Sequence, residues 1–111
     1  FTLLTCLFLL SQNVVLAETM DDLVKRDGLY YKKFTDVPFT GNVTGKMQGS
    51  IKNGKKHGPW VRYYDKGQLW VKGTYKDGKK DGPWIGFNSD GTVWEKWKNW
   101  TGTYKNGVKV D

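Results

Sequence analysis

The sequence predicts an all-β fold, a single-layer antiparallel meander of β-hairpin repeats preceded by an N-terminal signal segment. Three observations carry that prediction. A block of 24 residues recurs, since aligning Gly49–Lys72 with Gly73–Lys96 matches 11 positions. Asn-Gly or Asp-Gly pairs recur inside the blocks, and such pairs accept positive φ at both central positions of a type I′ hairpin turn. Finally, 14 glycines and 17 aromatics (6 Trp, 6 Tyr, 5 Phe) crowd a chain of 111 residues. Glycine is costly inside helices and disordered chains lack aromatics, so a helix bundle and a disordered chain are both excluded. A chain of this length makes one domain, which excludes a multidomain enzyme.

Taken in order, residues 1–17 contain no charged side chain, and the stretch Phe1–Leu10 is nearly all apolar. It is shorter than the roughly 20 apolar residues that span a bilayer. Val14-Val15-Leu16-Ala17 ends this stretch on a small residue, which reads as a secretory signal cleaved after Ala17. The chain opens at Phe1 without an initiator Met or a basic start, and is read as truncated there. An exported protein, periplasmic or extracellular, is the expectation. Cys6 is the single cysteine and falls inside this segment, so the mature chain would have neither a disulfide nor a thiolate ligand. Cohesion must then come from apolar burial, which large aromatic rings supply.

Residues 18–48 read as an N-terminal hairpin and capping segment. Leu23-Val24-Lys25 and Leu29-Tyr30-Tyr31-Lys32 flank an Asp27-Gly28 turn, Thr35–Gly41 continues extended, and Asn42-Val43-Thr44 forms a short strand. This part is expected to cap the first edge of the sheet, because an unpaired edge invites aggregation. Residues 49–111 are the repeats: 49–72, 73–96, an insertion at 97–101 and a partial copy at 102–111. In the last copy, Gly102-Thr103-Tyr104-Lys105-Asn106-Gly107 follows Gly73–Gly78 at a shift of 29. The first turns of the copies are Asn53-Gly54, Asp77-Gly78 and Asn106-Gly107. Asp65-Lys66-Gly67 and Ser89-Asp90-Gly91 supply the second turn of each full copy. Pro59 and Pro83 cannot donate to a ladder, so each is expected at a strand start or bulge just before Trp60 or Trp84. Strict alternation puts Leu69, Val71, Gly73 and Tyr75 on one face and Trp70, Lys72, Thr74 and Lys76 on the other. Trp60 and Trp84 are assigned to the second of these, a Trp/Lys face, opposite Val61, Tyr63, Ile85 and Phe87.

The recurring pattern Asn/Asp-Gly-Lys-Lys-x-Gly-Pro-Trp, followed by an aromatic, an Asp/Gly turn and an apolar-Trp pair, resembles the MORN-repeat variant of bacterial proteins. The lead-in Asp36-Val37-Pro38-Phe39-Thr40-Gly41 is similar to what such proteins carry before their first repeat. The resemblance covers about Asp27 to Lys109. It implies a hairpin-repeat architecture, an interaction scaffold as the activity, and the antitoxin-like label that such proteins often bear.

Catalysis finds little footing. The one histidine, His57, has Asp81 as its repeat counterpart and reads as a solvated turn residue. Neither a Ser-His-Asp nor a Cys-His set can be assembled without a second His or a mature Cys. Asp65, Asp77, Asp81 and Asp90 are all read at turn positions, where Asp is common for backbone reasons. No catalytic residue, metal ligand or cofactor is assigned, and the protein is read as a binder rather than an enzyme. The formal charge of +7 comes from 18 Lys plus Arg against 11 Asp plus Glu, and only Arg26 and Arg62 among the cations are arginines. Lysine is a hydrated point charge without the flat fork that grips phosphates and guanine edges, so nucleic acid is not the expected partner.

The candidate binding residues are Trp70, Trp94, Trp97 and Trp100 with Lys72 and Lys96, while Trp60 and Trp84 are read as covering the sheet. Aromatics beside cations anchor protein interfaces or meet anionic surfaces. The leading expectation is an exported scaffold engaging a protein partner in the cell envelope. The alternatives are attachment to anionic phospholipid or polysaccharide, and antitoxin-type inhibition of a toxin.

Overall fold

A computed structural model describes residues 17–95 and 101–111. The described chain is all-β, with ten strands, a single 3-10 turn at Met20–Asp22 and no α-helix. The strands are β1 (Ala17–Thr19), β2 (Leu23–Arg26), β3 (Leu29–Lys32), β4 (Gly41–Thr44), β5 (Met47–Lys52), β6 (Lys55–Tyr63), β7 (Leu69–Lys76), β8 (Lys79–Gly86), β9 (Gly102–Lys105) and β10 (Val108–Lys109). From β4 to β10 the main sheet is an antiparallel meander in chain order, as the hairpin turns dictate. Of the signal segment expected at residues 1–17, only Ala17 is among the described residues.

The turns obey the local chemistry of their sequences. Asn53 and Gly54 have φ of 50° and 82°, Asp77 and Gly78 repeat those values, and Asn106 and Gly107 have 52° and 85°. Both central residues are left-handed, which matches the twist of the flanking strands. The two Gly-Pro pairs make bulges. Gly58, Pro59 and Trp60 lie opposite the single residue Gly49, because Gln48 pairs with Val61 while Ser50 pairs with His57. Gly82, Pro83 and Trp84 lie likewise opposite Gly73. Gly58 and Gly82 hold φ of 79° and 83° there, a conformation that side chains with a Cβ rarely adopt.

Each bulge folds a tryptophan over a glycine. A Cβ built on Gly49 would lie 2.2 Å from the Trp60 ring, and one on Gly73 would lie 2.1 Å from the Trp84 ring. The indole N–H of Trp60 donates to the Ser50 carbonyl at 3.0 Å, and that of Trp84 to the Thr74 carbonyl at 3.1 Å. Both rings are 3% exposed. Truncating a buried aromatic of this kind costs about 3–5 kcal/mol.

The Trp/Lys face expected from alternation is therefore corrected. Trp60 pairs across to Gly73, on the side of Val71 and Tyr75, whereas Lys72 pairs with Val61 and Ile85 on the opposite side. Trp60 and Trp84 belong to an inner, aromatic face. On it Trp60, Tyr75, Trp84 and Tyr104 follow one another edge to face, with centroids 6.1, 5.0 and 6.5 Å apart. Such edge-to-face contacts favour the ring quadrupoles and keep the rings interlocked.

The N-terminal segment finishes the first end of the sheet in two ways. The edge of β4 is paired by β1, in parallel, with Ala17 opposite Asn42. The β2–β3 hairpin forms its own two-stranded sheet and lies over the inner face. Tyr30 donates its backbone N–H to Gly54, and Gly54 donates to Phe39, tying hairpin, connection and first repeat turn together. Leu23, Phe39, Val43, Ile51 and Trp60 bury one another there, so this end of the meander has a second layer. A second cluster, Val71, Trp84 and Tyr104, fills the later repeats. Tyr75 packs against both.

Candidate functional site

Lysines cover the aromatic ladder at the same place in each repeat. The Lys56 ammonium stands 4.9 Å from the Trp60 ring centroid and 5.0 Å from that of Tyr75. Lys80 stands 5.0 Å from Trp84 and 4.9 Å from Tyr104. Alternation explains the placement, because Lys56 pairs with buried Ile51 and Lys80 with Tyr75, both on the inner face. Their stems cover ring edges while the charge rests on the negative ring faces. Burial, with the neighbouring charges of Lys25, Arg62 and Lys80, holds Lys56 below the ordinary lysine pKa. Burial lowers Lys80 as well, and raises the Tyr75 phenol.

At the other end of the same strands a further irregularity re-aims Trp70. Arg62 pairs with Val71 and Tyr63 with Leu69, so Trp70 is the extra residue of a bulge and its ring turns to the inner side. The Arg62 guanidinium lies 4.1 Å from the Trp70 ring centroid. The Tyr64 ring stacks on Trp70 at 5.1 Å and 17°, and its hydroxyl donates to the Phe87 carbonyl at 2.7 Å. Tyr64, Trp70 and Arg62 thus form one rigid stack.

That stack divides two clefts. One, of about 680 Å³, is an open trough between the turns around Asp65 and Asp90 and carries both signs of charge. Lys46 bonds to Asp65 at 2.6 Å and holds its carboxyl below the usual range. Hydrogen bonds from Thr92 do the same for Asp90. The other cleft, of about 190 Å³, opens on the inner face, with Trp60, Val71 and Trp84 lining it and Lys56, Arg62 and Trp70 among its other residues. Neither Lys56 nor Arg62 forms an ion pair with a described residue.

Of the binding residues expected from the sequence, Trp70 is in this site. Trp94 takes the equivalent place in the second repeat, its ring over Gly86, where a Cβ would lie 2.3 Å away. Lys72 is exposed on the opposite face and does not join Trp70. Lys96, Trp97 and Trp100 lie outside the described residues. Lys56, Lys80, Arg62 and Tyr64 join the site without having been expected from the sequence. The first two were visible as repeat identities, but only the inner-face assignment shows that they share rings.

His57 is exposed on β6 opposite Ser50, and Asp81 sits within β8 opposite Thr74; both are strand rather than turn residues. Among the described residues no three His, Cys, Asp or Glu side chains cluster as metal ligands. No family model, curated protein or solved structure matches the chain.

Proposed function

We propose that the chain is a non-catalytic, MORN-like binding module that is exported and engages a protein partner of the cell envelope. The observation that carries this reading is the Tyr64–Trp70–Arg62 stack beside an open cleft. Tyr, Trp and Arg are the side chains that dominate interface energetics, and a prebuilt stack loses little conformational entropy on binding. The sheet supplies the rigidity, since the stack is fixed at both ends, by the β6–β7 bulge and by the Tyr64 hydroxyl.

Affinity capture from a cell-envelope extract at low and high salt, with the intact protein and a Trp70→Ala variant, tests the reading. A partner protein retained at both salt concentrations and lost with the variant is the expected result. Capture that is indifferent to Trp70→Ala, or retention of anionic vesicles alone that vanishes at high salt, would count against it, because exposed charge contacts are screened within about 10 Å at 0.1 M salt.

A further inference from the structure

The cleft between Lys56 and Arg62 is selective by its size and by its charge. Sites for small molecules and cofactors occupy about 300–1,000 Å³. A cleft of about 190 Å³ is below that range and suits a single side chain presented by a larger partner. Its lining is apolar on the sheet side, where Trp60, Val71 and Trp84 are buried. Its charged residues are Lys56 and Arg62, and Lys25 and Lys80 add to the positive potential at Lys56. Three cations therefore bear on Lys56, and no described carboxylate pairs with Lys56 or Arg62. A carboxylate arriving between them would meet two charge-assisted donors and relieve the repulsion of like charges. Arg62 already rests over the Trp70 ring, 4.1 Å from its centroid, so its guanidinium is placed beside the cleft before anything binds.

We infer that this cleft receives an acidic polypeptide segment, in which an apolar side chain enters over Trp60 and Val71 and a neighbouring Asp or Glu carboxylate sits between Lys56 and Arg62. The inference rests on the proposed protein-binding function and names the chemistry that the partner must present. It differs from surface attraction by net charge, because both contacts are at one cleft and one of them is a partly desolvated ammonium.

Selection of random dodecapeptides displayed on phage against the intact protein tests it, with anionic vesicles as a separate arm. The expected result is enrichment of Asp or Glu beside Leu, Ile or Phe. Selected peptides should bind about tenfold more weakly to Lys56→Met and to Arg62→Met, whose stems still cover the rings, since a hydrogen bond to a charged group is worth at least that factor. Arg62→Glu should abolish their binding and, on reselection, favour basic peptides.

Circular dichroism and the melting temperature confirm that each variant is folded before it is compared. Peptides that are not acidic, or that bind both Met variants as tightly as the parent while depending on Trp70, would overturn the inference and leave the binding-module reading standing. Binding of the anionic vesicles weakened by the same Met variants, with no peptide recovered above background, would overturn both. So would recovery of no peptide and no vesicle binding.

Discussion

At the scale of single residues, glycines and lysines on the inner face set the energetics in different ways. Gly49 and Gly73 are required by contact, because the Trp60 and Trp84 rings occupy the space that a Cβ would fill. Gly58 is required by conformation, since its φ is +79° but nothing lies within 4 Å of a Cβ. Gly73→Ala should therefore cost about 3 kcal/mol or more by forcing the buried ring aside, whereas Gly58→Ala should cost about 1 kcal/mol of backbone strain. Urea denaturation of the two variants checks the order, and an equal loss would mean that the rings yield. Lys56 makes a prediction in pH. Its folded pKa is below the ordinary 10.5, so between the two values the unfolded chain binds more protons and stability rises with pH. Tyr75 has the opposite sign: its raised phenol keeps its proton when folded, so stability falls once the pH passes the ordinary 10.0. The urea midpoint of the parent minus that of Lys56→Met should climb as pH increases toward the ordinary lysine value of 10.5. A flat or falling difference would remove Lys56 from its buried position.

At the scale of elements, the repeats communicate through their turns. The Gly78 N–H donates to the Lys56 carbonyl at 3.0 Å and the Gly107 N–H to the Lys80 carbonyl at 2.9 Å, so each turn is bonded to the strand that immediately precedes its hairpin. Turn amides ordinarily face water. Here Gly78 should exchange its amide hydrogen at least about tenfold more slowly than Gly67, whose N–H closes its own turn onto Tyr64, because only the Gly78 bond breaks when two repeats separate. Heteronuclear NMR exchange rates decide this, and equal rates would show the turns to be independent. The turns themselves were legible in the sequence, since Asn-Gly and Asp-Gly constrain φ locally, whereas proline left each Gly-Pro site open between a strand start and the bulge that forms. What the bulges do to the faces was not legible. Each one sets extra residues against a single partner, so counting by twos along β7 kept Trp70 with Lys72 when the β6–β7 bulge separates them. The same slip put Trp60 and Trp84 with the lysines of the outer face and hid Lys56 and Lys80 on the inner one. The hairpin β2–β3 was legible as a hairpin, but its place over the inner face depends on long-range backbone bonds from Tyr30 and Phe39 that no local pattern encodes.

At the scale of the whole molecule, the meander joins two apolar clusters in series. The first is roofed by the hairpin and centred on Ile51 and Trp60, and the second consists of Val71, Trp84 and Tyr104. In an array where each strand pairs only with its neighbours, cooperativity is the sum of nearest-neighbour contacts and fails first where these are thinnest. Tyr75 spans that joint, since it meets Trp60 at 6.1 Å on one side and Trp84 at 5.0 Å on the other. Removing it takes away both edge-to-face contacts and one of the rings on which Lys56 rests, a loss of about 2–3 kcal/mol for a half-buried aromatic. The indole N–H groups of Trp60 and Trp84 report the two clusters separately, because each is hydrogen-bonded within its own repeat. In the parent protein the two indole signals should disappear at one urea concentration, the sign of a single cooperative transition. In Tyr75→Ala they should separate, with Trp84 lost first because the β2–β3 hairpin packs on the Trp60 cluster, while Tyr75→Phe should keep them together. Coincident midpoints in Tyr75→Ala would mean that the backbone ladder from β6 through β8 couples the repeats without the ring, and that the aromatic ladder adds stability but not unity.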